Sequence, residues 1–131
     1  MKKNEAGIIV YDYGMRAVIL GRNTESTDLR DGNYQLIRTA VLAGERNIED
    51  VLVQAVKEIV GIDARFCQHK AKYENDDVII RWYECTPLNH EIKATGQFNQ
   101  AVWMPDSRVL SMLDTETVAI LPYEVKRFFS G

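Results

Sequence analysis

The sequence predicts one α/β domain built on a mixed β-sheet, and three observations carry that expectation. Short β-branched runs follow one another as hairpin pairs, one long amphipathic helix interrupts them, and the glycine-rich loops of doubly wound nucleotide folds (GxGxxG, GxxxxGK[ST]) are missing. A chain of 131 residues with 46% apolar and 27% charged residues has ordinary single-domain proportions and can bury a core without disulfides or a structural metal. One domain is expected over residues 1–131, since no repeat or low-complexity linker divides it.

Gly7 to Tyr11 is a continuous β-branched run, as in a strand buried on both faces. Asp12-Tyr13-Gly14 turns it, and Arg16 to Arg22 reads as its hairpin partner. The polar stretch Asn23 to Asn33 is expected to be a surface loop, and Tyr34 to Val41 a third strand. Asn47 is placed as a helix N-cap, with Glu49 and Asp50 in the first turn where the helix dipole favours negative charge. Ile48, Val51, Leu52, Ala55, Val56 and Ile59 then follow at helical spacing as one apolar stripe, and Gly61 ends the helix. Ala64–Tyr73 and Val78–Thr86 read as two strands, and Phe98–Met104 as another closed by Pro105. Asp106 and Ser107 are expected to cap a short helix over Arg108–Leu113, and Pro122 to start a last helix running to Phe129.

A formal net charge of −3, without a basic stripe, argues against duplex DNA as a partner and leaves RNA and nucleotides open. The polar start Met1-Lys2-Lys3-Asn4-Glu5 leads straight into a strand-like run, and no apolar stretch approaches the roughly 20 residues that span a bilayer. A cytoplasmic location with no membrane partner is expected.

The order strand hairpin, loop, strand, amphipathic helix ending in Gly61-Ile62 resembles the Nudix (MutT-like) hydrolase superfamily, whose signature is G-x5-E-x7-R-E-U-x-E-E-x-G-U, with U a bulky apolar residue. Anchoring on Gly61-Ile62 puts Ala40 on the first glycine, Arg46 on the loop glutamate, Gln54 on the arginine, Ala55 on the first paired glutamate and Ile59 on the last; Val56, Glu58, Gly61 and Ile62 match. Val18-Ile19-Leu20-Gly21-Arg22 is similar to the family's second strand, and Ala101 to Leu110 to its late tryptophan-bearing strand and following helix. The resemblance covers nearly the whole chain. It implies a Nudix-like α/β/α sandwich around a mixed sheet.

In the family, carboxylates hold Mg²⁺ or Mn²⁺ and activate water against a diphosphate, because dense negative charge must be neutralised before a nucleophile attacks. Here Glu58 alone remains on the helix, with Glu49 and Asp50 about two turns away. The resemblance with these losses implies a non-catalytic module, with no resident cofactor, that binds a nucleotide or nucleoside-diphosphate derivative through Arg22, Arg38 and Glu58. The rival reading is an active diphosphate hydrolase that uses Mg²⁺ or Mn²⁺ and draws carboxylates from Glu58, Glu74, Asp76, Asp77 or Glu84. A third is a subunit that uses the altered helix face to form a homo-oligomer or to meet a protein partner.

Each candidate also has a plainer reading. Glu58 is as well explained as a solvated residue paired with Gln54 or Lys57, and Arg22 and Arg38 as salt-bridge partners on the sheet rim. Cys67, His69, Cys85 and His90 lack the spacing of a known zinc site and read as core or surface residues. Glu74 to Asp77 reads as a solvated hairpin turn. Tyr73, Trp82, Tyr83 and Trp103 would stack a base only if they faced a cleft, and core packing is the commoner fate of aromatics at strand spacing.

Overall fold

A computed structural model of the chain describes residues 2–23 and 32–130. The loop expected over Asn23–Asn33 therefore lies mostly outside the described residues. Six strands, β1 (Lys3–Asp12), β2 (Ala17–Arg22), β3 (Ile37–Ala40), β4 (Ala64–Glu74), β5 (Val78–Pro87) and β6 (Gln100–Pro105), form one mixed sheet in the order β4-β5-β1-β2-β6, with β3 pairing to β1. Strand β1 organises it. One edge runs parallel to β5 from Lys3 to Val10; the other pairs antiparallel with β3 through Glu5–Ile8 and with β2 through Tyr11 and Asp12. Such a central strand must be apolar on both faces, and Gly7 to Tyr11 are all buried, as the sequence predicts.

The two faces carry separate cores. Ile8, Val10, Ile19, Ile37 and Cys85 pack beneath α1 (Ile48–Val60), while Ile9, Leu20, Ile80 and Trp82 pack beneath α2 (Val109–Met112), α3 (Thr115–Ala119) and α4 (Tyr123–Ser130). Helices on both faces of a mixed sheet make the expected α/β/α sandwich. Among the described residues no helix is long and apolar enough to cross a membrane.

Helix α1 buries Leu52, Ala55, Val56 and Val60 and ends with Gly61 at φ 71°, where a residue without a Cβ is favoured. The stripe is displaced from the expected one: Val60 is buried, whereas Ile48, Val51 and Ile59 are half-exposed. Asn47 occupies the N-cap position, but its side chain makes no capping bond. The short helix near Asp106 starts as a 3-10 turn over Asp106–Arg108 whose N-cap position is Pro105, which has no capping group, and the Asp106 carboxylate accepts from the Tyr11 hydroxyl at 2.6 Å. Helix α3 escapes the sequence reading altogether. Asp114 caps it, accepting from Thr117 N–H at 2.7 Å, while its second oxygen takes the Gln35 amide at 3.2 Å. Asp114→Ala is expected to cost about 1 kcal/mol of stability in urea unfolding; an unchanged midpoint would show that the cap does not hold α3.

The β1–β2 turn closes one end of the sheet. Asp12 accepts from Met15 N–H at 2.9 Å and pairs with His90, and these bonds hold its carboxyl below the ordinary range. Tyr13 donates to Glu84 at 2.8 Å, and that carboxylate raises the phenol to about 12. The folded state thus keeps a proton that an unfolded phenol loses near pH 10, so this contribution to stability is complete below pH 10 and fades as the pH rises toward 12. The Cζ shift of Tyr13 is expected to titrate near pH 12, and in Glu84→Gln to move back toward 10. The same midpoint in both proteins would contradict the assignment.

Candidate functional site

A cavity of about 570 Å³ opens between α1 and the β3 edge of the sheet. Its helical wall is Ala55, Glu58 and Ile59, three positions that share one side of α1 because they lie three and four residues apart. Its strand wall is Glu5 of β1 with Leu36, Arg38, Thr39 and Ala40 of β3 and its approach, and Gln35, Gln97, Asn23 and Thr117 complete the lining.

The segment after β5 fixes these walls in place. The last carbonyls of a helix lack intrahelical donors. Here Thr95 Oγ1 donates to the Glu58 carbonyl, Thr95 N–H to Ile59 at 3.0 Å and Lys93 N–H to Val60 at 2.8 Å. Two residues on, the Gln97 amide donates to the Arg38 carbonyl at 2.9 Å, bridging from the end of α1 to β3.

The charged side chains of the cavity have hydrogen-bond partners. Arg38 Nε and Nη2 both reach Glu5 Oε1, at 2.9 and 2.8 Å, since β1 and β3 are in register there. Glu58 accepts from the Gln54 amide at 2.9 Å, one of the two partners foreseen for it. Lys57 pairs instead with Asp63 at 3.2 Å. Glu49 accepts from Cys67 N–H at 2.9 Å and so holds the start of α1 against β4, away from the cavity.

Of the three residues singled out from sequence, Arg38 and Glu58 line the cavity and Arg22 does not. Arg22 is 1% exposed; its Nε donates to Gln100 at 2.6 Å and its guanidinium lies over the Tyr34 ring. At the end of β2 it packs between Gln100 and Tyr34 and not on this cavity. Sequence reading missed Glu5, Gln35, Gln97 and Thr117. Nothing local marks them, because each reaches the cavity through long-range strand pairing or a connecting segment.

The other candidates are dispersed. Cys67 and Cys85 are bonded to each other across β4 and β5, so their sulfurs are not zinc thiolates. His69 packs edge-on against Tyr83, and His90 pairs with Asp12. Trp82 is fully buried with its indole N–H on the Ile120 carbonyl, and Trp103 donates to the His90 carbonyl. None of Tyr73, Trp82, Tyr83 and Trp103 lines the cavity. Glu74 pairs with Lys2 and Lys72, and Asn75 closes the hairpin by accepting from Asp77 and Val78 N–H. Glu84 lines a different cavity beside α4. The structure therefore does not bring Glu74, Asp76, Asp77 or Glu84 to Glu58.

Hard cations want several oxygen ligands. The cavity offers Glu58, already bonded to Gln54, and Glu5, already bonded to Arg38; Ala55 and Ile59 offer none. Among the described residues no three His, Cys, Asp or Glu side chains converge as a metal site. Among the described residues the donor set of this cavity does not fit a protein-held Mg²⁺ or Mn²⁺.

No family model and no curated protein matches the sequence. Solved structures do match the fold. A MutT from work on Aliivibrio salmonicida and Vibrio cholerae superposes with a TM-score of 0.75 at 14% identity, over 99% of this chain and 98% of its own. A NUDIX hydrolase from Nitrosomonas europaea gives 0.74 at 11% identity, over 98% of this chain and 70% of its own. The NUDIX domain of Shewanella oneidensis NrtR, in complex with ADP ribose, gives 0.68 at 12% identity, over 98% and 89%. The chain has the Nudix fold.

Proposed function

We propose that the cavity between α1 and β3 binds a nucleotide or nucleoside-diphosphate derivative without metal-dependent hydrolysis of it. One observation carries this reading: the helix face that fronts the cavity presents Ala55, Glu58 and Ile59, a single carboxylate where capture of a divalent ion needs several. The binding half of the proposal rests on the rest of the lining. Arg38 is a planar donor suited to phosphate oxygens, and Gln35, Gln97 and Thr39 are polar groups at the same opening. A Nudix domain of this fold takes ADP ribose, which makes ADP ribose the first ligand to try.

The protein's own residues do the following in this reading. Arg38 exchanges its bond to Glu5 for one to a diphosphate oxygen. Glu58 stays bonded to Gln54 and generates no hydroxide, and the side chains of Ala55 and Ile59 pack against the ligand without polarising it.

The rival reading, a hydrolase with relocated ligands, draws on one feature: Glu5 and Glu58 open on the same cavity. Incubating the protein with ADP ribose, nucleoside triphosphates and dinucleoside polyphosphates in Mg²⁺ or Mn²⁺ separates the two. Binding without product is expected. Turnover that disappears in Glu58→Gln would establish the rival.

A further inference from the structure

Strands β4 and β5 do not pair evenly near the start of β4. Arg65 stands opposite Thr86 and Gln68 opposite Glu84, so Phe66 and Cys67 together face Cys85. The extra residue makes a bulge. Within it Phe66 has φ 57° and is 70% exposed, a left-handed backbone that disfavours a residue with a Cβ and that burial of the ring does not offset.

Two bonds of the next residue hold the bulge in place. Cys67 Sγ is joined to Cys85 Sγ, and Cys67 N–H donates to Glu49 Oε1 at 2.9 Å. The second bond ties the first turn of α1 to the edge strand, where the Asn47 side chain makes no capping bond. The two sulfurs differ in access. Cys85 is fully buried beneath α1, in the core with Ile8 and Val10, whereas Cys67 is half-buried on a strand that forms the edge of the sheet. A disulfide is opened by a thiolate that approaches one of its sulfurs, and access decides which sulfur that is.

We propose that the Cys67–Cys85 bond is a thiol-exchange switch that takes a small thiol such as glutathione at Cys67 and so releases the bulge and the start of α1. The thiolate sulfur bonds to Cys67 Sγ, the bond between the two cysteines breaks, and Cys85 leaves with the electron pair and takes a proton. A second thiol attacks the mixed disulfide in the same way. The products are two protein thiols and the small-molecule disulfide, so the protein gains two electrons and two small thiols are oxidised.

With the sulfurs no longer joined, Phe66 returns to ordinary strand backbone, and the Cys67 N–H that Glu49 accepts moves with it. The change begins at the start of α1, at the opposite end of the helix from Glu58 and Ile59. The proposal is independent of the reading given for the cavity beside α1.

Brief exposure of the native protein to glutathione, an acid quench and peptide mass mapping show which sulfur is attacked. The mixed disulfide is expected on Cys67, with Cys85 as the free thiol. Glutathione disulfide tests the reverse direction on single variants. Cys85→Ser is expected to take up glutathione at least about 10-fold faster than Cys67→Ser, whose remaining thiol must wait for the core to open. Full reduction of the ¹⁵N-labelled wild-type protein is expected to shift the amides of Phe66, Cys67 and Glu49 and to leave those of Ile9 and Leu20, on the other face of the sheet, in place. Glutathione found on Cys85 of the native protein would overturn the proposal, as would equal uptake by the two variants, no exchange at all, or amides of Phe66 and Glu49 that ignore reduction. The wild-type mapping and spectra decide the matter even if a variant does not fold.

Discussion

Glu5→Gln is expected to strengthen binding of a diphosphate ligand and Arg38→Ala to weaken it, the two changes moving affinity in opposite directions. In the structure Glu5 Oε1 holds both Nε and Nη2 of Arg38. A phosphate must displace that carboxylate before it can use the guanidinium, and it meets the carboxylate's negative charge as it enters. Neutralising Glu5 removes the competition and the repulsion together, and a gain of roughly 10-fold is expected for a half-exposed pair. Removing Arg38 deletes charge-assisted bonds of about 1.5–3 kcal/mol, a loss of about 10- to 100-fold in affinity. Calorimetric titration of ADP ribose into the three proteins checks this. If both variants weaken binding alike, the pair is a scaffold for the sheet and not the ligand's contact.

Gly7→Ala is expected to be among the most destabilising single-methyl changes in the protein, at about 3 kcal/mol. Gly7 lies in the middle of β1, paired to β3 on one side and β5 on the other, so its backbone has no room to retreat. A Cβ there would stand 2.2 Å from Trp82 Cε3 and 2.3 Å from Cζ3, well inside van der Waals contact. The indole has nowhere to go either, being fully buried and hydrogen-bonded to the Ile120 carbonyl. Urea unfolding of the variant measures the cost. A loss below 1 kcal/mol would mean that the core beneath α3 and α4 yields far more readily than its packing implies.

How much of this was legible in the sequence depends on the range of the interaction involved. Helix α1 was visible because its spacing is local: Leu52, Ala55 and Val56 recur at the helical period and Gly61 stops them. Strand β1 was visible because Gly7 to Tyr11 is apolar without interruption. Helix α3 was not, since Thr115 to Ala119 is too short to show a period and only its Asp114 cap signals it. The Cys67–Cys85 pairing was hidden by the irregular register of the β4–β5 hairpin, which shifts between Arg65 and Gln68 and again between His69 and Ala71.

The candidate site divides along the same line. That Ala55 and Ile59 share one helix face with Glu58 was legible, because helix phase alone puts both beside it. That Arg38 faces the cavity and Arg22 is buried against Tyr34 was not, because strand alternation leaves open which face of a two-faced sheet carries the site. Glu5 was invisible for a related reason. Its pairing with Arg38 is set by the β1–β3 register, across 33 residues.

Helix α1 presents one carboxylate, Glu58, to the cavity, too few oxygens to hold a divalent ion. Electron paramagnetic resonance of Mn²⁺ tests this most directly, comparing the wild-type protein with an Ala55→Glu/Ile59→Glu double variant that places two carboxylates beside Glu58. The wild-type protein is expected to leave the signal of aqueous Mn²⁺ undiminished, and the double variant to reduce it. A wild-type protein that sequesters Mn²⁺, and releases it on Glu58→Gln, would contradict the account.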